Sequence, residues 1–195
     1  MRSGVLLLPS AWTPAFCREI RDAMDAGDSG PAEIVDGAIT VDDQVRRAFD
    51  VTIAPPALTR VEDALARLRA HVADFFRVSV TGSVGVTCLR YVEGGHYLRH
   101  RDRDPQPGSG TEHRRISVIV WLNSGASAHG TGEFAGGTLR LFEPGRRDVH
   151  QIIPEAGTLV AFPSEWPHEV LPVTRGTRDA VVDWLYSAAP PDRVA

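Results

Sequence analysis

Between Gly94 and Pro105 the sequence reads GGHYLRHRDRDP, two histidines and two aspartates set among three arginines. In an extended strand, side chains two residues apart share a face and sit about 6.6 Å apart along the chain, close enough to converge on one ion. His96, Leu98, His100, Asp102 and Asp104 then fall on one side, and Tyr97, Arg99, Arg101 and Arg103 on the other. Residues four apart are separated by about 13 Å, too far to share an ion in an unbroken strand. His100 and Asp102 are therefore the histidine–carboxylate pair at workable spacing. Asp102 with Asp104 lacks the oxygen ligands and the placed glycine of a calcium loop.

One histidine and one aspartate leave a site incomplete, so a third ligand must come from a neighbouring strand. Of the seven histidines, His71 reads as a surface residue of a helix, His96 has no acid two residues away, His113 and His129 sit in polar loops, and His150 reads as a sheet residue. His168 opens the strand-like run HEVLP directly after Pro167, and Arg178 follows ten residues later at the head of another strand. Two histidines and one carboxylate leave coordination positions open, which suits non-haem Fe(II) that must also bind a co-substrate and O2. A closed zinc site would need four ligands, usually with cysteine, and Cys17 and Cys88 are badly placed for that. A catalytic zinc on the same three residues stays open. A buried Arg178 could fork onto the distal carboxylate of a dicarboxylate co-substrate.

These side chains need a scaffold. Thr13 and Pro14 read as the cap and first turn of a helix carrying Phe16, Ile20 and Met24 on one face and ending at Gly27. A second helix is expected from about Pro56 to Phe76, with Leu58, Val61, Leu65, Leu68, Val72 and Phe75 inward. After Ser79 the pattern turns to short strands at VGVTCLRY, HYLRHRD, RISVIVWLN, GTLRLF, DVHQII, GTLVAF, HEVLP and DAVVDWLY, separated by glycine and proline turns. The expectation is a mainly β chain with N-terminal helices (α+β), closed or double-sheeted. It is read as a single domain over 1–195, with 1–80 as helical support and 84–187 as the β core.

The 195 residues carry a net charge of −4 and no long basic block, which argues against nucleic-acid or anionic-membrane partners. Val5 to Leu8 is too short a run for a signal peptide, and no segment approaches the roughly 18 apolar residues of a membrane span. Two distant cysteines fit a reducing compartment, and a cytoplasmic location is the expectation.

The segments LRYVEGGHYLRHRD, SVIVWLN, GGTLRLF, PEAGTLVAFPS and PHEVLPVTRGTRDAVVDWLY together resemble the iron- and 2-oxoglutarate-dependent dioxygenases of the prolyl 4-hydroxylase-like group, over roughly Val84 to Tyr186. The resemblance implies a double-stranded β-helix of jelly-roll, cupin-like form. It implies His100, Asp102 and His168 as ligands of Fe(II), and Arg178 on the 5-carboxylate of 2-oxoglutarate. Tyr91 and Trp184 would face the same cavity. Trp121 stands where a tyrosine helps to bind that carboxylate in relatives, and Arg178 where many carry lysine.

What the resemblance implies for activity is hydroxylation of an unactivated C–H with O2, releasing succinate and CO2, with ascorbate as an accessory reductant. The substrate would be a prolyl residue or a small amino-acid-like or natural-product molecule. Segments Asp42 to Asp50 and Ser124 to Ala135 would form a closing rim. Arg99, Arg101 and Arg103 read as a solvated strand face, or with Arg114 and Arg115 as a mouth that steers an acidic substrate. A cupin-like zinc or manganese hydrolase or isomerase, and a noncatalytic 2-oxoglutarate sensor, are the competing readings.

Overall fold

The computed structural model describes residues 4–35, 39–126 and 132–187. In chain order the elements are β1 (Leu6–Leu8), α1 (Pro14–Asp25), β2 (Asp28–Pro31), β3 (Ile34–Val35), β4 (Ile39–Thr40), β5 (Arg46–Arg47), β6 (Phe49–Thr52) and α2 (Pro55–Phe76). There follow β7 (Gly82–Ser83), β8 (Thr87–Tyr91), β9 (His96–His100), β10 (Arg114–Trp121), β11 (Ala135–Gly136) and β12 (Leu139–Phe142). The last five are β13 (Val149–Ile152), β14 (Leu159–Pro163), β15 (His168–Val170), β16 (Val173–Arg175) and β17 (Arg178–Tyr186).

Both helices stand where the sequence places them. Thr13 caps α1 by accepting a hydrogen bond from the Phe16 amide, and Cys17, Ile20 and Met24 form the buried face. The chain leaves α1 at Gly27, where a Cβ would sit 2.0 Å from the Thr52 carbonyl oxygen, so only glycine lets β6 pass this close. In α2 the buried residues are Val61, Leu65, Val72 and Phe76. Phe76, rather than the expected Phe75, is fully enclosed. Both cysteines are buried free thiols.

The eight strands expected after Ser79 all form. A large sheet runs β1-β14-β10-β17-β8-β6-β2, with β7 on β17, and a smaller one runs β13-β12-β15-β9-β5. Residues are sorted by the two-residue alternation of the strands. Along β10, Ile116, Val118 and Val120 face the helices, in one core with Ile20, Val61 and Val72. Ile119 and Trp121 face the smaller sheet, in a second core with Leu139, Leu141, Val170 and Phe162. The described residues are mostly β with two helices, consistent with a jelly roll.

One expectation needs correction. Residues 1–80 are not only helical support. β1 extends the large sheet beside β14, β6 and β2 extend its other side beyond β8, and β5 pairs with β9 at the edge of the smaller sheet. These strands are short and include DSGP and the pair Arg46–Arg47, so they carry no hydrophobic alternation. Edges already formed by the core strands supply their pairing partners.

Candidate active site

β9 is irregular at the point that matters. His168 pairs with His100 and Val170 pairs with Tyr97, so two residues of β15 span three of β9. Such a bulge breaks strict alternation and re-aims side chains. Tyr97 and His100 therefore share a face, their rings stacked with centroids 3.4 Å apart at 16°. The expectation that Tyr97 points outward with the arginines is overturned by this bulge. Regular strand structure ends at His100, and the Asp102 and Arg103 amides then both donate to the Ser164 carbonyl, at 3.0 and 3.1 Å. That turn, rather than a continuous strand, brings the Asp102 carboxylate back beside His100.

His100, Asp102 and His168 converge, with ligand atoms all within 4.8 Å of one another. The Nδ1 of His100 lies 2.8 Å from the Leu98 carbonyl, and that of His168 lies 3.0 Å from the Trp166 carbonyl. Each ring thus donates its Nδ1 proton to the backbone, leaving Nε2 as the free lone pair. Both Nε2 atoms face the carboxylate, at 3.6 Å for His100 and 3.4 Å for His168. Ser117 Oγ lies 2.6 Å from Asp102 Oδ2 and 3.0 Å from Ser164 Oγ, a hydroxyl chain that donates into the carboxylate. Two imidazoles and a carboxylate, each fixed by a second hydrogen bond, form a donor set that fits a divalent metal with coordination positions left open.

The electrostatics agree. Burial opposes the charge on Asp102, but His168, His100 and Ser117 outweigh it and hold the carboxyl far below the usual carboxylate range. Burial, aided by His100, pushes His168 down to about 4 against the opposing pull of Asp102. A pH dependence follows for the metal-free protein. Between the unfolded value near 6.5 and the folded value, the unfolded chain holds a proton on His168 that the native chain does not. Stability therefore falls on acidification from about pH 6.5 to about pH 4, by roughly 2–4 kcal/mol from this group. Urea midpoints of metal-free protein at neutral pH and just above pH 4 check the sign; an unchanged midpoint would contradict it.

The same cavity is lined by Arg178, 2% exposed, the first residue of β17 and directly opposite Tyr91 of β8. Its Nε donates to the Gly137 carbonyl at 3.1 Å, and its guanidinium stands 5.0 Å from the Tyr91 ring centre. Gly137 has φ +64°, and a Cβ there would sit 2.8 Å from Arg178 Cδ, so glycine serves both the backbone and the arginine. Burial lowers the Arg178 pKa, yet a guanidinium stays charged. Among the described residues it has no carboxylate partner within ion-pair distance.

The next residue, Asp179, faces the helices instead. It takes Arg90 at 2.8 and 3.0 Å and Arg21 at 3.1 Å, while its amide donates to Asn123. This buried network pins the start of β17, and with it Arg178. Asp179→Asn is expected to cost about 2–3 kcal/mol, the scale of hydrogen bonds to a charged group. Denaturant unfolding measures it, and a change below the error of the midpoint would remove the role.

The cavity holding these groups is about 260 Å³, lined also by Tyr97, Arg114 and Trp184. Trp184 faces it, as expected. Trp121, expected to bind the co-substrate, is fully buried in the core between the sheets, two residues beyond the cavity-lining Ile119, and its indole Nε1 has no hydrogen-bond partner among the described residues. Of the arginines, Arg99 pairs with Glu169 and Arg103 with Glu165, and Arg99 and Arg101 are exposed, with Arg101 also lining the cavity. Of the rim segments, Asp42 to Asp50 contributes Arg46 and Asp50 to the lining, beside Glu33. The tip of the Ser124 to Ala135 segment, 127–131 with His129, lies outside the described residues. His71 and His113 are exposed. His96 bonds the Gly94 and Gln44 carbonyls, and His150 lies by Glu143, so none of these joins the site.

Sequence reasoning missed Tyr97 and Ser117. Ser117 carried a signal: it is the polar residue at an inward position of the otherwise apolar ISVIVW run.

Comparison with known proteins agrees with this geometry. Residues 86–186 match the 2OG-Fe(II) oxygenase superfamily. A PKHD-type hydroxylase of Xanthomonas campestris pv. campestris is 28% identical over 192 residues, covering 94% of this chain and 78% of the relative. Another, from Burkholderia thailandensis, is 28% identical over 187 residues with the same coverage, 94% and 78%. Among solved structures, a Pseudomonas putida prolyl-4-hydroxylase superposes with a TM-score of 0.72 at 26% identity, covering 96% of this chain and 94% of that one. A Trichoplax adhaerens prolyl hydroxylase, solved with a hypoxia inducible factor peptide, shares the fold with a TM-score of 0.76 at 20% identity, covering 94% and 84%.

Proposed function

Because this chain belongs to the 2OG-Fe(II) oxygenase superfamily, we propose that it hydroxylates an unactivated C–H of its substrate at the expense of 2-oxoglutarate and O2, releasing succinate and CO2. The observation that carries the reading is the pairing, in one cavity, of a three-ligand metal set with a buried guanidinium that has no carboxylate partner among the described residues. A metal-only hydrolase needs the first and has no use for the second.

His100, Asp102 and His168 would hold the iron, with each histidine's Nε2 and the Asp102 carboxylate free to serve as donors. When bound, Fe(II) supplies the chemistry that couples O2 reduction and 2-oxoglutarate decarboxylation to oxidation of the substrate. Arg178 takes the far carboxylate of 2-oxoglutarate in a charge-assisted fork, held in aim by Gly137 and Tyr91. Ser117 donates to one carboxylate oxygen of Asp102 and so holds that side chain in one orientation. Tyr97, whose phenol burial pushes up to about 12, stays a protonated donor beside His100. Ile119, Leu139, Val170 and Val182 give the cavity dry walls that keep water from the reacting centre. The two facing sheets are read as a double-stranded β-helix, with 1–195 as one catalytic domain. PKHD-type and prolyl hydroxylase relatives support hydroxylation as the outcome, on a prolyl residue or a small amino-acid-like molecule.

The reading is tested by following 2-oxoglutarate with protein loaded with Fe(II) or Zn(II). Succinate should appear with iron and air, and neither with zinc nor without O2. Turnover of another substrate by the zinc protein, with 2-oxoglutarate untouched, would instead support the hydrolase. Tight 2-oxoglutarate binding without succinate under any substrate would support the sensor.

A further inference from the structure

The aim of Arg178 depends on two pieces of backbone: the start of β17, which carries it, and the Gly137 carbonyl, which accepts its Nε–H at 3.1 Å. One side chain outside the cavity holds both pieces. Arg21 of α1 donates through Nε to Asp179 Oδ2 at 3.1 Å and through Nη1 to Glu133 Oε2 at 2.5 Å. Asp179 follows Arg178 on β17, and Glu133 begins the short segment 133–137 that ends in Gly137.

That segment is tied to the arginine in further ways. Phe134 is fully buried, and Ala135 and Gly136 pair with β16. Gly176, in the turn from β16 into β17, has φ +75°, and a Cβ there would sit 2.7 Å from the Glu133 carbonyl oxygen. Backbone packed this closely moves together. A shift at Glu133 is therefore passed both to the turn that starts β17 and to the Gly137 carbonyl.

The strand itself does not depend on Arg21. Asp179 keeps Arg90 as a two-pronged partner at 2.8 and 3.0 Å. Asn123 donates to the Thr177 carbonyl at 2.7 Å and accepts from the Asp179 amide at 2.9 Å, so it clamps the backbone on either side of Arg178. What Arg21 adds is a fixed relation between β17 and the segment that carries Gly137. Its two pairs differ in weight, because Asp179 is fully enclosed whereas Glu133 is half-exposed and screened by water.

We infer that Arg21 is a positioning residue for the co-substrate: by bridging Asp179 and Glu133 from outside the cavity, it sets the angle at which Arg178 meets the far carboxylate of 2-oxoglutarate. The inference rests on the oxygenase reading above and on the role given there to Arg178. A two-pronged guanidinium–carboxylate pair is sensitive to aim. Loss of Arg21 is therefore read in the affinity for the dicarboxylate, and not in the affinity for iron.

The test uses the full chain loaded with Fe(II) under anaerobic conditions and two titrants, 2-oxoglutarate and pyruvate, a 2-oxo acid that lacks the far carboxylate. Arg21→Gln should weaken 2-oxoglutarate about 5- to 20-fold and leave the affinities for pyruvate and Fe(II) as they are. Arg21→Lys, which can pair with only one of the two acids at a time, should recover part of the loss. In an Arg178→Ala background Arg21→Gln should have no further effect, since nothing is left for it to aim. A general loosening of the fold would instead weaken 2-oxoglutarate and pyruvate alike and add to the effect of Arg178→Ala. Either of those results, or unchanged 2-oxoglutarate affinity in a folded Arg21→Gln, overturns the assignment. Circular dichroism reports folding. Should Arg21→Gln not fold, Glu133→Gln at the half-exposed end carries the same test, with a loss of about 2- to 5-fold confined to 2-oxoglutarate, and no loss overturns the assignment. A wild type that shows no response to 2-oxoglutarate is a different failure, that of the oxygenase reading itself.

Discussion

His168→Ala is expected to fold and to lose both metal binding and turnover, with succinate formation falling to the rate of free Fe(II) in buffer. His168 is 4% exposed, and its Nδ1 is committed to the Trp166 carbonyl, so its Nε2 has one ring orientation and the metal is its natural partner. Without it, His100 and Asp102 remain as a two-ligand remnant. Asp102 loses the histidine that contributes most to holding it ionised against burial. A ligand loss on this scale removes the site instead of tuning it, because three ligands are already the minimum for an open centre. Truncation also leaves a void beside Phe162, whose ring centre is 4.8 Å from that of His168, and His168→Gln, which keeps most of the volume, separates the two effects. Equilibrium dialysis of Fe(II) with circular dichroism is the measurement. A folded His168→Gln that still binds iron as the wild type does would contradict the ligand assignment.

Arg178→Ala carries the second large effect. It should weaken 2-oxoglutarate by about 100- to 1000-fold while Fe(II) affinity stays as it was, since truncating one side of a buried charge pair costs about 2–5 kcal/mol. The selectivity is the informative part. Arg178 lies on β17 and the ligands on β9, the turn after it and β15, so removing the guanidinium leaves the metal set untouched. Arg178→Lys keeps the charge but not the fork. It should fall between the two, because lysine cannot keep both the Gly137 carbonyl and a bidentate carboxylate. Isothermal titration of 2-oxoglutarate into metal-loaded protein distinguishes the three. Equal affinity in wild type and Arg178→Ala would refute the role.

Much of the site was legible in the sequence because its residues obey short-range rules. The strand that opens at His168 after Pro167 and Arg178 at the head of an apolar run are local patterns, and so is the two-residue spacing of His100 and Asp102, although a turn after the strand rather than the strand step brings that pair together. The eight strands after Ser79 were legible for the same reason. Tyr97 was not, because a bulge exists only in the pairing of β9 with β15, and alternation read along one strand cannot see its partner. The N-terminal strands were not, because Arg46–Arg47 and DSGP become strands by docking on finished edges.

The most direct test of the central claim is anaerobic and optical. Fe(II) and 2-oxoglutarate added together to the wild-type protein should produce a weak visible charge-transfer band that neither produces alone, followed by succinate when air is admitted. The band should be absent in His168→Gln and should need far more 2-oxoglutarate in Arg178→Ala. Iron-replete wild-type protein that shows no band at saturating 2-oxoglutarate, and forms no succinate in air, would contradict the account.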